Sequence, residues 1–269
     1  MSRPTDPGRE EPTGARHDHG NHADSAGQPW AGRSFPSTPP STDDGSAPER
    51  LIEAIRRFQA REVGEAEVVD AFRESRLLIP LVAHLGEAGE NHHGELVDKS
   101  QELSIVTVDG PDGRTVLPVF SSVDAMSSWN AKARPIPADG VRVALAAASE
   151  QTDVVVLDPT SPTEFAIRRP ALWAIAQSLP WTPSYADRSV IDAFERSIES
   201  ELAVVGVDLS AGDPGARLAA SELVIGLRLL AGLTQTELDA VLARLAQRWA
   251  ADEVIATRVD SLAVKLSAA

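Results

Sequence analysis

The strongest local constraint is a turn. "DGPDGR" at 109 to 114 separates two alternating apolar runs, "LSIVTV" and "TVLPVF". Leu103, Ile105 and Thr107 alternate with Ser104, Val106 and Val108, and Val116, Pro118 and Phe120 alternate with Leu117 and Val119. Period-two patterning on both sides of a Gly-Pro-Asp-Gly sequence predicts a β-hairpin. The second run ends in Ser121 and Ser122. Ser121 and Asp124 have the spacing to cap a helix through Met126 and Trp129.

The rest of the pattern mixes helices with short strands. Ser46 and Glu49 have capping-box spacing ahead of Leu51, Ile52, Ile55 and Phe58, which share one helical face. A second helix is expected over Glu65 to Ser75. "RLLIPLVA" then reads as a strand, on an edge or bulged, because Pro80 removes a donor. After "ARPIP", Asp139 caps an Ala-rich helix over 140 to 149. "TDVVVLDPT" and "EFAIRR" are strands, and Pro170 starts a helix with Leu172, Trp173 and Ala176. "LPWTPS" at 179 to 184 is the expected joint. Beyond it come a helix with Ile191, Phe194, Ile198 and Leu202, then the strand "AVVGVDL" and "LAASELVIGLRLL", which reads as a strand with helical character as the alternative. Thr234 and Glu237 cap a helix burying Leu238, Val241, Leu242, Leu245 and Trp249, and "VIATRVDSLAVKL" is the last strand. The expectation is an α+β protein of two packed α/β subdomains with mixed or antiparallel sheets, 49–180 and an α-β-β-α-β unit at 181–269.

Residues 1 to 48 hold 8 Pro, 6 Gly, 6 Ser and 4 Thr, half of the segment, so they are expected to form a disordered tail. Trp30 and Phe35 are its only aromatics. They are the natural anchors if the tail folds onto a partner. His17, His19 and His22 in "HDHGNH" fit a solvated tract better than a metal site, which needs ligands held in fixed geometry.

Composition excludes several functions. The net charge is −15, from 40 acidic and 25 basic residues, and basic residues cluster no further than pairs such as Arg56-Arg57 and Arg168-Arg169. Nucleic acid and anionic membrane are therefore not expected partners. The chain has no cysteine, which removes disulfides, thiolate metal ligands and thiol catalysis, and fits a cytoplasmic setting. The first residues lack an apolar core of the signal-peptide kind, and no window approaches a membrane span.

No motif for nucleophilic, zinc or phosphate chemistry is present. His92 and His93, with Glu90, Glu95, Asp98 and Glu102 nearby, are the one cluster that offers a general base or metal ligands. The plainer reading is a solvated loop beside a strand start. Trp129, Trp173 and Trp181 fit core packing better than a groove. Arg134, Arg168 and Arg169 fit pairing with the chain's own carboxylates better than anion binding.

Residues 98 to 137, "DKSQELSIVTVDGPDGRTVLPVFSSVDAMSSWNAKARPIP", resemble the N-terminal domain of the SseB family in its actinobacterial form. The resemblance rests on Asp98-Lys99, the Asp112-Gly113-Arg114 turn, Leu117-Pro118-Val119-Phe120 before two serines, and Trp129 followed by Arg134-Pro135. "RRPALWAIAQ" and "RVDSLAVKL" extend it over about 49 to 266. Ser121 stands where the family usually has Thr. The resemblance brings no catalytic residues with it; a protein partner is expected, and no cofactor. Together with the missing catalytic motifs, the resemblance points to a non-enzymatic binding or adaptor module, and the expected contact ridge, where the patterned hairpin meets its helix, is Asp98, Phe120, Trp129 and Arg134. The alternative is a small-molecule or metal-dependent enzyme using His92, His93, Asp98 and Glu102.

Overall fold

A computed structural model of the protein describes residues 43–85 and 101–269. Helix α1 (Glu49–Gln59) buries Leu51, Ala54, Ile55 and Phe58, the three-and-four spacing of one helical face. Its cap is Pro48, whose carbonyl accepts the amides of Leu51 and Ile52. The expected Ser46–Glu49 box does not form. Ser46 is engaged elsewhere, its amide on Asp44 and its carbonyl on the Arg76 guanidinium. Residues 43–48, at the end of the tail-like composition, are tied down: Gly45 accepts the Val123 amide and Arg76 pairs with Asp43 at 2.9 Å.

Helix α2 (Glu65–Arg73) leads into β1 (Arg76–Leu85), the middle strand of an antiparallel sheet with β2 (Gln101–Ile105) and β5 (Arg134–Asp139). Pro80, expected at an edge or bulged position, lies in this central strand. The register explains why it is tolerated. Pro80 faces Pro135, and Leu78 faces Pro137. Antiparallel pairs alternate between bonded and non-bonded, so Leu77–Ala138 and Ile79–Ile136 carry the hydrogen bonds, and the prolines fall between them. On the other side of β1, Leu78 exchanges bonds with Phe120, and Pro80 accepts from Val106 at 3.4 Å. The missing N–H therefore falls where β1 changes neighbours.

The turn forms as read. Gly113 has φ +80°, and the Gly110 amide donates to Arg114 at 2.7 Å. The hairpin is shorter than expected, with β3 (Val108–Asp109) and β4 (Thr115–Val119) matched over two pairs. The residues before Val106 belong to β2 and pair with β1 instead. Strand β4 continues into a four-stranded sheet, β3-β4-β6-β7, with β6 (Val154–Leu157) parallel to it and β7 (Phe165–Arg168) antiparallel to β6.

Helix α3 (Val123–Trp129) is capped by Ser122, not Ser121. Ser121 is buried, and both its amide and its hydroxyl donate to Asp158, at 2.8 and 2.7 Å. Helix α4 (Gly140–Ser149) has the expected Asp139 cap, and α5 (Arg169–Ala176) carries Pro170 in its first turn. These elements enclose the larger core, which includes Leu51, Phe58, Phe72, Leu117, Phe165 and Ile175.

A second core follows. Helix α6 (Arg188–Ile198) and α7 (Gln235–Ala251) cover a sheet of β8 (Val204–Ala211), β9 (Leu223–Leu229) and β10 (Leu262–Ala268). Thr234 and Glu237 form the expected capping box. Phe194 meets Trp249 edge-on, centroids 5.4 Å apart, within the cluster of Ile225, Leu227 and Leu245. The stretch expected to be one final strand starts as helix α8 (Glu253–Arg258), because the Asp252 carboxylate takes the amides of Val254 and Ile255. The fold is α+β.

Candidate functional site

Of the expected contact ridge, Phe120 is fully buried, so it supports the ridge from beneath. It packs with Leu78 and Met126, and the Trp129 ring lies on it at 5.2 Å between centroids. Trp129 is half-buried, and Arg134 is exposed at the start of β5. Val123 and Ile136 are exposed nearby in the chain. Asp98 lies outside the described residues, as do Glu90, His92, His93, Glu95, the histidines of the tail, Trp30 and Phe35. Glu102 is in β2, opposite His84 of β1. Among the described residues no three His, Asp or Glu side chains are grouped to hold a metal ion.

Arg168 and Arg169 are neighbours in sequence with different fates. Arg168 is buried and finds carboxylates from the second half of the chain, Asp213 at 2.7 Å and Asp260 at 3.1 Å. Arg114, from the hairpin turn, reaches the other oxygen of Asp260 at 2.9 Å. Glu222 accepts the Asp260 amide at 2.6 Å, and the Tyr185 hydroxyl donates to Glu65 at 3.3 Å. The two halves of the chain thus meet through a polar interior. Burial pushes Glu65 up to about 7, with the charge of Glu222 adding to it; burial also raises Glu222. The guanidiniums of Arg114 and Arg168 hold Asp260 below the usual carboxylate range despite its burial. This network is closed by its own members and joins the two cores.

Among the described residues no carboxylate pairs with Arg169. Its guanidinium lies over the Trp173 ring at 5.4 Å and touches the carbonyls of Ala256 and Val259 only at 3.3 and 3.4 Å. Trp173 is 46% exposed, although Leu172 and Ile175 beside it are buried. It forms a shared wall between two clefts. One, of about 210 Å³, runs past Leu179 and Trp181 to Arg258, which is fastened to Asp187 at 2.6 Å. The other, of about 390 Å³, lies against the alanines of α4 and is closed by Thr152 and Asp153. Leu179 and, on α4, Leu145 are also half-exposed. The result is an aromatic fin with a basic stack and aliphatic flanks.

Residues 50–174 match the model of the SseB protein N-terminal domain. Over that stretch the chain is similar to the SseB family. The match contains the turn, the buried Ser121, the Phe120–Trp129 stack and the Trp173 fin. No curated protein and no solved structure matches the chain. No helix of the described residues is long and apolar enough to cross a membrane.

The Trp173 surface was not read as a site from sequence. Helix α5, "RPALWAIA", is apolar on every side, so periodicity gives no indication of which residue faces out.

Proposed function

We propose that the protein is a non-enzymatic adaptor of the cytoplasm, and that the fin at Trp173 receives an apolar segment of a protein partner. The observation that carries this is the exposure of Trp173 between two clefts, with Leu179 flanking it on one side and the alanines of α4 on the other. A tryptophan left half in water forgoes part of the roughly 1.5–3 kcal/mol that burying a large apolar side chain contributes. Such side chains, set in pockets within a polar rim, are the usual energetic centres of protein interfaces. Arg169 holds the ring from one side and keeps a charge at the rim, where an acidic residue beside the partner's apolar anchor would meet it.

The test is recovery of partners by the tagged protein from its own cells, comparing wild type with Trp173→Ala and Arg134→Ala. A partner recovered in stoichiometric amount with wild type and Arg134→Ala, and bound at least about 30-fold more weakly by Trp173→Ala, is expected. Loss with Arg134→Ala alone would move the site to the Trp129 ridge, which Phe120 supports from below. Equal binding by both variants would remove the Trp173 reading.

A further inference from the structure

The sheet of the second core has an open side. In the order β10-β9-β8, β10 is terminal, and among the described residues no strand continues beyond it. Edge strands are usually short, charged or covered, since their free N–H and C=O groups invite pairing. β10 is seven residues long with one charge, Lys265, and Leu262, Val264 and Leu266 stand 37, 38 and 40% exposed.

The direction of its hydrogen bonds can be worked out. The Leu223 amide donates to Ser261 and the Ala269 amide to Leu229. Alternation then turns Ala263, Lys265 and Ser267 toward β9, and leaves the N–H and C=O of Leu262, Val264 and Leu266 at the open edge. The same three residues are in register with Leu223, Ile225 and Leu227 of β9, so their side chains lie on the face that α7 covers. On that face an apolar groove of about 430 Å³ runs between α7 and the start of β10, bordered by Ala246, Trp249, Ala250, Ile255 and Leu262.

We infer that β10 is a self-association edge, and that its partner is β10 of a second copy of this chain, antiparallel about Val264. The sequence of the strand selects this occupant and this register. About Val264, "LAVKL" places Leu262 opposite Leu266 of the second copy, Val264 opposite Val264, and Leu266 opposite Leu262. All three pairs use the outward-facing backbone groups, each exchanging two hydrogen bonds. The apolar row becomes continuous on the helix-covered face. Lys265 falls opposite Ala263, so the single charge never meets itself. Centring the pair on Lys265 sets like charges opposite one another, and an odd shift turns the apolar row to the wrong face.

The test is sedimentation of the full chain up to about 100 µM, a range that captures micromolar dimers. The expected species has twice the 28.6 kDa chain mass. Val264→Pro removes an N–H that no intrachain bond uses, a substitution that edge strands tolerate. It is expected to give a monomer with the same circular dichroism and melting temperature as wild type. Leu262→Lys is expected to do the same without touching the backbone, and Lys265→Gln to leave the dimer's affinity unchanged. A wild-type chain that stays monomeric throughout overturns the proposal. So does a dimer that survives both Val264→Pro and Leu262→Lys, or one that binds more tightly in Lys265→Gln, where loss of a repulsion between facing lysines would report a register centred on that residue.

Discussion

Glu65→Gln should stabilise the protein at pH 8 and leave it nearly unchanged at pH 5. Glu65 opens α2, where the helix dipole favours a carboxylate, yet its neighbourhood works the other way. Burial is the larger cause of its raised pKa, followed by the charge of Glu222; Tyr185 and Arg168 oppose them less strongly. The shift runs from the ordinary 4.5 to about 7. In the window between those values the folded state holds a proton that the unfolded chain has released. Stability is therefore fully present below about 4.5 and is lost as pH rises through 7. At 1.36 kcal/mol per pH unit the loss is about 3 kcal/mol, and about 2 after allowance for the part of the side chain that still touches water. Glutamine keeps the shape and an acceptor for Tyr185 without the charge. Urea unfolding of both proteins at pH 5 and 8 measures the difference, and other titrating groups cancel in it. The expected gain is about 2 kcal/mol at pH 8 and less than about 0.5 at pH 5. An equal effect at both values, or a loss at pH 8, would refute an interior in which Glu65 and Glu222 compete for charge.

Two further substitutions test the packing. Asp158→Ala leaves the Ser121 amide and hydroxyl and the Thr163 hydroxyl without their acceptor in a buried site, and should cost about 2–4 kcal/mol by calorimetry. Gly140→Ala puts a methyl 2.5 Å from the Phe72 carbonyl oxygen and 2.7 Å from the Arg73 Cα; since both are backbone, denaturant unfolding should show a loss above about 2 kcal/mol.

Where sequence patterns read the fold correctly, the deciding interactions are close in the chain. The Thr234 box and the Asp139 cap need only a carboxylate or hydroxyl within three residues of a free amide. The same logic fails at Ser46, because Arg76, thirty residues on, takes its carbonyl. It fails at Ser121 because Asp158, thirty-seven residues on, offers a buried acceptor, and the cap passes to Ser122. The hairpin was read as too long for a related reason. Alternation marks a strand but not its neighbour, and β2 is claimed by β1.

The site residues divide along the same line. Phe120 ends an alternating run at the surface of the pattern, but the bond pair with Leu78 and the Trp129 ring close over it. Trp173 sits in a helix with no polar face, and only the arrival of β6, β7 and α4 decides that Leu172 goes in while Trp173 stays out. The polar interior has no local signature at all, since Arg168 draws its carboxylates from forty-five and ninety-two residues away. The chain's acidic excess reappears there in small form. Arg114 and Arg168 face five carboxylates, those of Asp112, Asp213, Asp260, Glu65 and Glu222. The aspartates are paired directly, so the surplus falls on the two glutamates. A buried surplus of that kind is relieved most cheaply by a proton. The junction between the two cores is therefore the part of this fold whose cohesion depends on pH near neutrality.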